Sequence, residues 1–98
     1  MIRAIHFVDR EDHRKTEAPG SIFVNHPNGA KQAQFWFYCP CGCGDLAMID
    51  MGHKFKPDGD RPTWDWNGEL SRPTLSPSVH NLNCGWHGWL RDGYWESC

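Results

Sequence analysis

The run Cys84-Gly85-Trp86-His87-Gly88-Trp89-Leu90-Arg91-Asp92-Gly93-Tyr94-Trp95-Glu96-Ser97-Cys98 carries its own instruction to fold back. Asp-Gly is a preferred centre for a two-residue hairpin, because both central residues must take positive φ. With Asp92-Gly93 at the tip, Arg91 opposes Tyr94, Leu90 opposes Trp95 and Trp89 opposes Glu96. Continuing the register, Gly88 opposes Ser97 and His87 opposes Cys98. Directly opposed side chains share a face, with Cβ atoms roughly 4.5–5.5 Å apart. An imidazole and a thiol are therefore expected side by side. Cys84 lies three residues before His87, a spacing that can bring two ligands onto one turn.

Upstream, Cys39-Pro40-Cys41-Gly42-Cys43-Gly44 packs three more thiols into one tight, turn-forming run. Facing Cys84, His87 and Cys98, they predict a Zn2+ site in soft N/S ligands. Tetrahedral zinc takes four ligands, and the candidates are Cys39, Cys41, Cys43, Cys84, His87 and Cys98. Cys41 and Cys43 can both ligate across Gly42, while Cys39 can instead end a strand as a small buried hydrophobe. Five cysteines cannot all be used up in disulfides within the chain. An iron–sulfur cluster fits less well, because histidine is an uncommon ligand there.

Composition narrows the rest. A chain of 98 residues is read as a single domain, 1–98, with a modest core. A net charge of −2 argues against a general nucleic-acid partner. No apolar run approaches the ~20 residues of a membrane span, so no membrane partner is expected. No basic segment followed by an apolar one opens the chain, which points to a reducing cytoplasm, where clustered cysteines hold metal more often than they pair. Six tryptophans can fill a small core or line a groove.

Along the chain, strands are expected at Met1 to Asp9, Ser21 to His26, Gln34 to Cys39 and Thr63 to Asn67, and at Asp45 to Met51 as a short apolar run. Pro27-Asn28-Gly29 reads as the turn of a hairpin that delivers its second strand to the cysteine run. Phe35, Phe37 and Cys39 share one face of that strand, and Trp64 and Trp66 share a face of another. The charged run Arg10 to Glu17 reads as a solvated loop or short helix, with His6, His13 and His26 structural or solvated. Gly52 to Pro62 reads as a polar loop. Pro73-Thr74-Leu75-Ser76-Pro77-Ser78 must be extended or looped, because each proline restricts itself and its predecessor. The expected fold is mainly β: a small, zinc-ribbon-like domain of antiparallel hairpins around one zinc site.

Four motifs occur in order: Trp36-Phe37-Tyr38-Cys39-Pro40-Cys41-Gly42-Cys43-Gly44, Trp64 to Gly68, Pro73 to Ser78, and Cys84-x-x-His87-x-Trp89-x-x-Asp92-Gly93. From Gln34 to Cys98 the chain resembles a family of small bacterial and phage domains, often labelled ammonia monooxygenase. Some of its members are linked to bacterial ubiquitin-like conjugation systems, with a zinc peptidase role suggested. The resemblance implies a protein or peptide substrate, with a ubiquitin-like precursor as candidate.

A zinc peptidase needs an open coordination position, where bound water becomes a nucleophile at neutral pH. No His-Glu-x-x-His helix is present. The base is then sought at His80 or at a carboxylate, Glu69 first, with Asp92 and Glu96 behind it. Ser76 and Ser78 are expected to donate hydrogen bonds to the tetrahedral intermediate, beside the alternative that Pro73 to Ser78 only packs against the metal. A serine nucleophile is not expected, since no Gly-x-Ser-x-Gly elbow or ordered triad is visible. The leading expectation is a zinc-dependent peptidase that trims the tail of a protein partner. The alternative is a non-enzymatic, zinc-stapled protein-binding module.

Overall fold

In the computed structural model, which describes residues 2–25, 31–58 and 61–98, Asp92 and Gly93 sit at φ 50° and 85°. They turn β8 (Trp86–Arg91) into β9 (Tyr94–Ser97). The pairs Arg91–Tyr94, Leu90–Trp95, Trp89–Glu96 and Gly88–Ser97 are those expected from the turn. The Cys98 N–H donates to the His87 carbonyl at 2.9 Å, extending the ladder to that pair.

The described residues are mostly β and form two sheets. The four-stranded sheet runs β1 (Ile2–Arg3), β9, β8, β7 (Val79–Asn81). The five-stranded sheet runs β2 (Ile22–Asn25), β3 (Gln32–Tyr38), β4 (Leu46–His53), β5 (Thr63–Trp66), β6 (Leu75–Ser76). β2 and β3 pair antiparallel, as a hairpin should. Its expected turn, Pro27-Asn28-Gly29, lies outside the described residues.

Two features depart from hairpins alone. β4 and β5 are parallel, with Met51 beside Trp64 and His53 beside Trp66. The polar loop after β4 is therefore a crossover, and β6 then pairs antiparallel with β5. The first strand is also far shorter than Met1 to Asp9. After β1 the chain leaves the four-stranded sheet and laces it to the other: Ala4 N–H donates to the Gly93 carbonyl at 2.8 Å, and Phe7 N–H to the Ile22 carbonyl at 2.9 Å.

The charged run becomes α1 (Arg10–Thr16), capped by the Asp9 carboxylate, which accepts from the Glu11 N–H at 2.7 Å. One buried residue anchors it. His13 is 1 % exposed, with Nε2 3.0 Å from the Ser21 carbonyl oxygen. Burial holds its pKa below the usual histidine value, against the smaller opposite pull of that hydrogen bond. Among the described residues, no helix is long and apolar enough to cross a membrane.

The core lies between the sheets. Ile22, Phe35, Phe37, Met51, Trp66 and Leu75 meet Val79, Leu90 and Trp95. The Trp95 ring lies 5.0 Å from that of Phe37 and donates its Nε1–H to the Gly20 carbonyl at 2.9 Å. The indole thus buries apolar area without stranding its polar atom.

Candidate functional site

Ser78 stands where the chain passes from one sheet to the other, between β6 and β7. Three contacts fix this passage. The Asn67 side chain accepts from the Thr74 N–H at 3.1 Å and donates to the Arg72 carbonyl at 3.1 Å, closing the loop before β6. The Trp64 Nε1–H donates to the Ser78 carbonyl at 3.1 Å. Val79, 1 % exposed, plugs into the core. Successive strand residues face opposite ways, so an inward Val79 turns Ser78 and His80 outward.

β7 pairs with β8 on the side away from β9, with His80 directly opposite His87. Ser78, His80 and His87 thereby share the solvent face of the four-stranded sheet. The Ser78 Oγ lies 2.8 Å from His87 Nε2. The His80 ring lies against that of His87, with centroids 5.1 Å apart and planes at 33°. This pairing brings a hydroxyl within hydrogen-bond reach of a base, as a serine nucleophile requires. The sequence argues against such a serine only by lacking a Gly-x-Ser-x-Gly elbow and an ordered triad. Here the pair is assembled across a hairpin, which no contiguous motif records.

The thiols gather beside the turn of the same hairpin, one from that turn and three from the run after β3. Cys39, Cys41, Cys43 and Cys84 place their sulfur atoms all within 4.8 Å of one another. Cys39 directly follows β3, and the Cys39 N–H donates to the Asp45 carbonyl at 2.9 Å, closing the turn over Cys41 and Cys43. Gly42 and Gly44 supply positive φ there, at 87° and 85°. Cys84 comes from the β7–β8 turn. The Cys39 sulfur is 3.3 Å from that of Cys41 and 3.4 Å from that of Cys84. Cys39 is thus buried, yet its sulfur belongs to the group.

Such a set of thiols can hold a metal ion, since thiolates are soft ligands that converge readily on one cation. As a bare cluster, burial pushes the Cys39 thiol up to about 12, whereas hydrogen bonds from the Cys39 and Cys43 side chains draw Cys41 down to about 7. None of the cysteines forms a disulfide.

The other candidates fall outside these two groups. His87 and Cys98 are adjacent on the sheet, but neither belongs to the four-thiol cluster. Glu69 lies in the turn after β5, where its N–H donates to Asn67 Oδ1 at 3.2 Å. Ser76 lies on β6 opposite Asp65. Asp92 pairs with Arg72 at 2.6 Å, and Glu96 with Arg91 at 3.8 Å. Among the described residues, none of these carboxylates is hydrogen-bonded to His87.

No match was found among curated proteins, and none among solved structures. The family model described as bacterial ubiquitination-like system serine protease (BubE) matches residues 7–98, and the chain belongs to that family.

Proposed function

We propose that this protein is a serine peptidase in which Ser78 is the nucleophile and His87 the general base. Its substrate would be the tail of a ubiquitin-like protein partner, in a reducing, cytoplasmic setting. The observation that carries this reading is the 2.8 Å contact between Ser78 Oγ and His87 Nε2 on an outward face. A family of serine proteases in a bacterial ubiquitination-like system fits the same chemistry.

For Nε2 to accept the hydroxyl proton, the neutral imidazole must carry its own proton on Nδ1. Ser78 Oγ then attacks the scissile carbonyl carbon while its proton passes to Nε2. The carbonyl oxygen gains negative charge and needs a donor. The Ser78 amide N–H has no acceptor among the described residues and sits on the attacking residue itself, so it suits that task. When the C–N bond breaks, the His87 proton goes to the leaving amine. Water, deprotonated by His87, then releases the acyl group from Ser78. His80, packed on the His87 ring, restricts its orientation.

Zn2+ is the ion that suits the thiol cluster, and its role in this reading is structural. Four thiolates complete a tetrahedral site and leave no position for a reactive water. Cys84 ties the β7–β8 turn to the cysteine run, so the site braces the hairpin that carries Ser78 and His87. This moves the nucleophile from a zinc-bound water, the reading drawn from the sequence, to a side-chain hydroxyl.

Reaction with a simple alkyl fluorophosphonate tests the proposal without a known substrate. Serine attack on phosphorus expels fluoride, and intact mass should rise by one adduct, mapped to Ser78 by peptide sequencing. Absence of an adduct, or an equal adduct on Ser78→Ala, would count against it.

A further inference from the structure

We infer that the extended substrate tail binds as an added antiparallel strand on the outer edge of β7, exchanging backbone hydrogen bonds with His80. This rests on Ser78 being the nucleophile and adds where the chain to be cut must lie.

The argument begins with a parity rule. In an antiparallel ladder, the N–H and C=O of one residue point to the same side of the strand. The His87 carbonyl accepts from the Cys98 N–H at 2.9 Å, so the backbone polar groups of His87 face β9. They therefore face away from β7. His80, directly opposite His87 on that other side, forms a non-hydrogen-bonded pair with it. Its own N–H and C=O must point away from β8, out of the sheet.

Among the described residues, β7 is the end strand of its sheet. Within the same set, no backbone or side-chain group is bonded to the His80 N–H or C=O. Val79 and Asn81 have the opposite parity and pair inward to Gly88 and Trp86. A three-residue edge strand thus offers a single donor–acceptor pair, two residues beyond the nucleophile. Exposed edges of this kind are templates for another strand.

An antiparallel partner satisfies both groups with one residue. Running against β7, it has the acyl residue of the scissile bond at Ser78. The residue two positions toward its N-terminus, the third counted back from the cut, falls opposite His80. At about 3.3 Å per residue, the spacing from Ser78 to His80 matches that step. An extended, unstructured tail is the segment of a protein partner able to lie this way.

Peptidyl phosphonates test the geometry on the intact protein. The probe is N-acetyl-trialanyl diphenyl phosphonate, whose last alanine carries phosphorus in place of the carbonyl carbon. Ser78 Oγ forms the P–O bond, one phenoxide leaves, and the serine proton passes through His87 to that phenoxide. Methylating the amide nitrogen of the third residue back removes the hydrogen bond to the His80 carbonyl. It should slow labelling by roughly tenfold or more. Methylating the second residue's nitrogen, which points away from β7, should leave the rate within about twofold. His80→Ala keeps its backbone and should preserve this difference. Equal rates for the two methylated probes would overturn the inference, as would a difference abolished in His80→Ala. If the alkyl fluorophosphonate labels Ser78 while these probes fail to discriminate, the nucleophile stands and the edge does not. If neither reagent labels Ser78, the catalytic reading itself falls.

Discussion

The Asn81 side chain donates from Nδ2 to the Asp45 carboxylate at 3.0 Å, joining the last residue of β7 to the end of the cysteine turn. Asn83 donates to the same oxygen at 3.2 Å. The thiol cluster and the Ser78–His87 pair thus rest on one braced hairpin. If Ser78 and His87 act as proposed, disturbing the cluster should lower turnover through structure, without the cluster touching substrate.

One metal ion per chain is expected, with Cys39, Cys41, Cys43 and Cys84 as ligands. Cys84→Ser should lose the metal, and its melting temperature should fall by roughly 20 °C or more, because a structural zinc site contributes on the order of 10 kcal/mol to folding. His87→Ala should keep the metal. Elemental analysis beside thermal melts checks both, and metal loss in His87→Ala would return that residue to the ligand set.

Ser78→Ala and His87→Ala should each lower turnover by roughly a thousandfold or more. Both positions face out of the core, so their unfolding midpoints should stay near that of the parent. His80→Ala keeps Ser78 and His87 and should cost only about tenfold. Kinetics on any cleavable peptide, paired with urea unfolding, separates these outcomes. A fall of equal size in all three variants would point to a common structural defect.

Gly93 holds φ 85° at the hairpin tip, and a Cβ placed there would lie 3.2 Å from the Arg72 Cα. Gly93→Val should destabilise by about 2 kcal/mol or more, since a β-branched residue is strained at this φ and the backbone in its way cannot swing aside. Denaturant midpoints read this directly. An unchanged midpoint would mean that the turn can relax into another type.

Burial, the largest influence on His13, lowers its folded pKa below 6.5. The unfolded chain then binds more protons as pH falls through 6.5, so stability present above that value is lost as pH drops toward the folded pKa. The His13 Cε1–H NMR titration midpoint should lie below 6.5. The acid loss of stability should be smaller in His13→Gln than in the parent. A midpoint above 6.5 would reverse the expected sign.

Some of this was legible in short stretches of sequence. Asp92-Gly93 specified both the turn and the register of β8 on β9, because positive φ is a property of two adjacent residues and a tight turn leaves little choice of pairing. Alternation likewise placed Phe35 and Phe37 on one buried face. The clustering of cysteines was visible because three of its members lie within one turn of chain. Membership of the cluster was not. A strand has two edges, and local pattern does not say what lies on the second. The turn pairs His87 with Cys98 on the β9 side, and the structure keeps that register. Its hydrogen-bonding neighbour, Ser78, arrives just ahead of β7 on the other side, through a crossover between sheets. Cys39 shows the same limit: its burial was foreseeable from the strand, but the meeting of its sulfur with Cys84, 45 residues away, was not. The parallel β4–β5 pair belongs here too, since the crossover loop permits several pairings and the inward fit of Trp66 selects one. Turn chemistry and side-chain alternation are local and were written in the sequence of this protein. Which sulfur meets which, and which hydroxyl meets the imidazole, was decided by packing two sheets on one core.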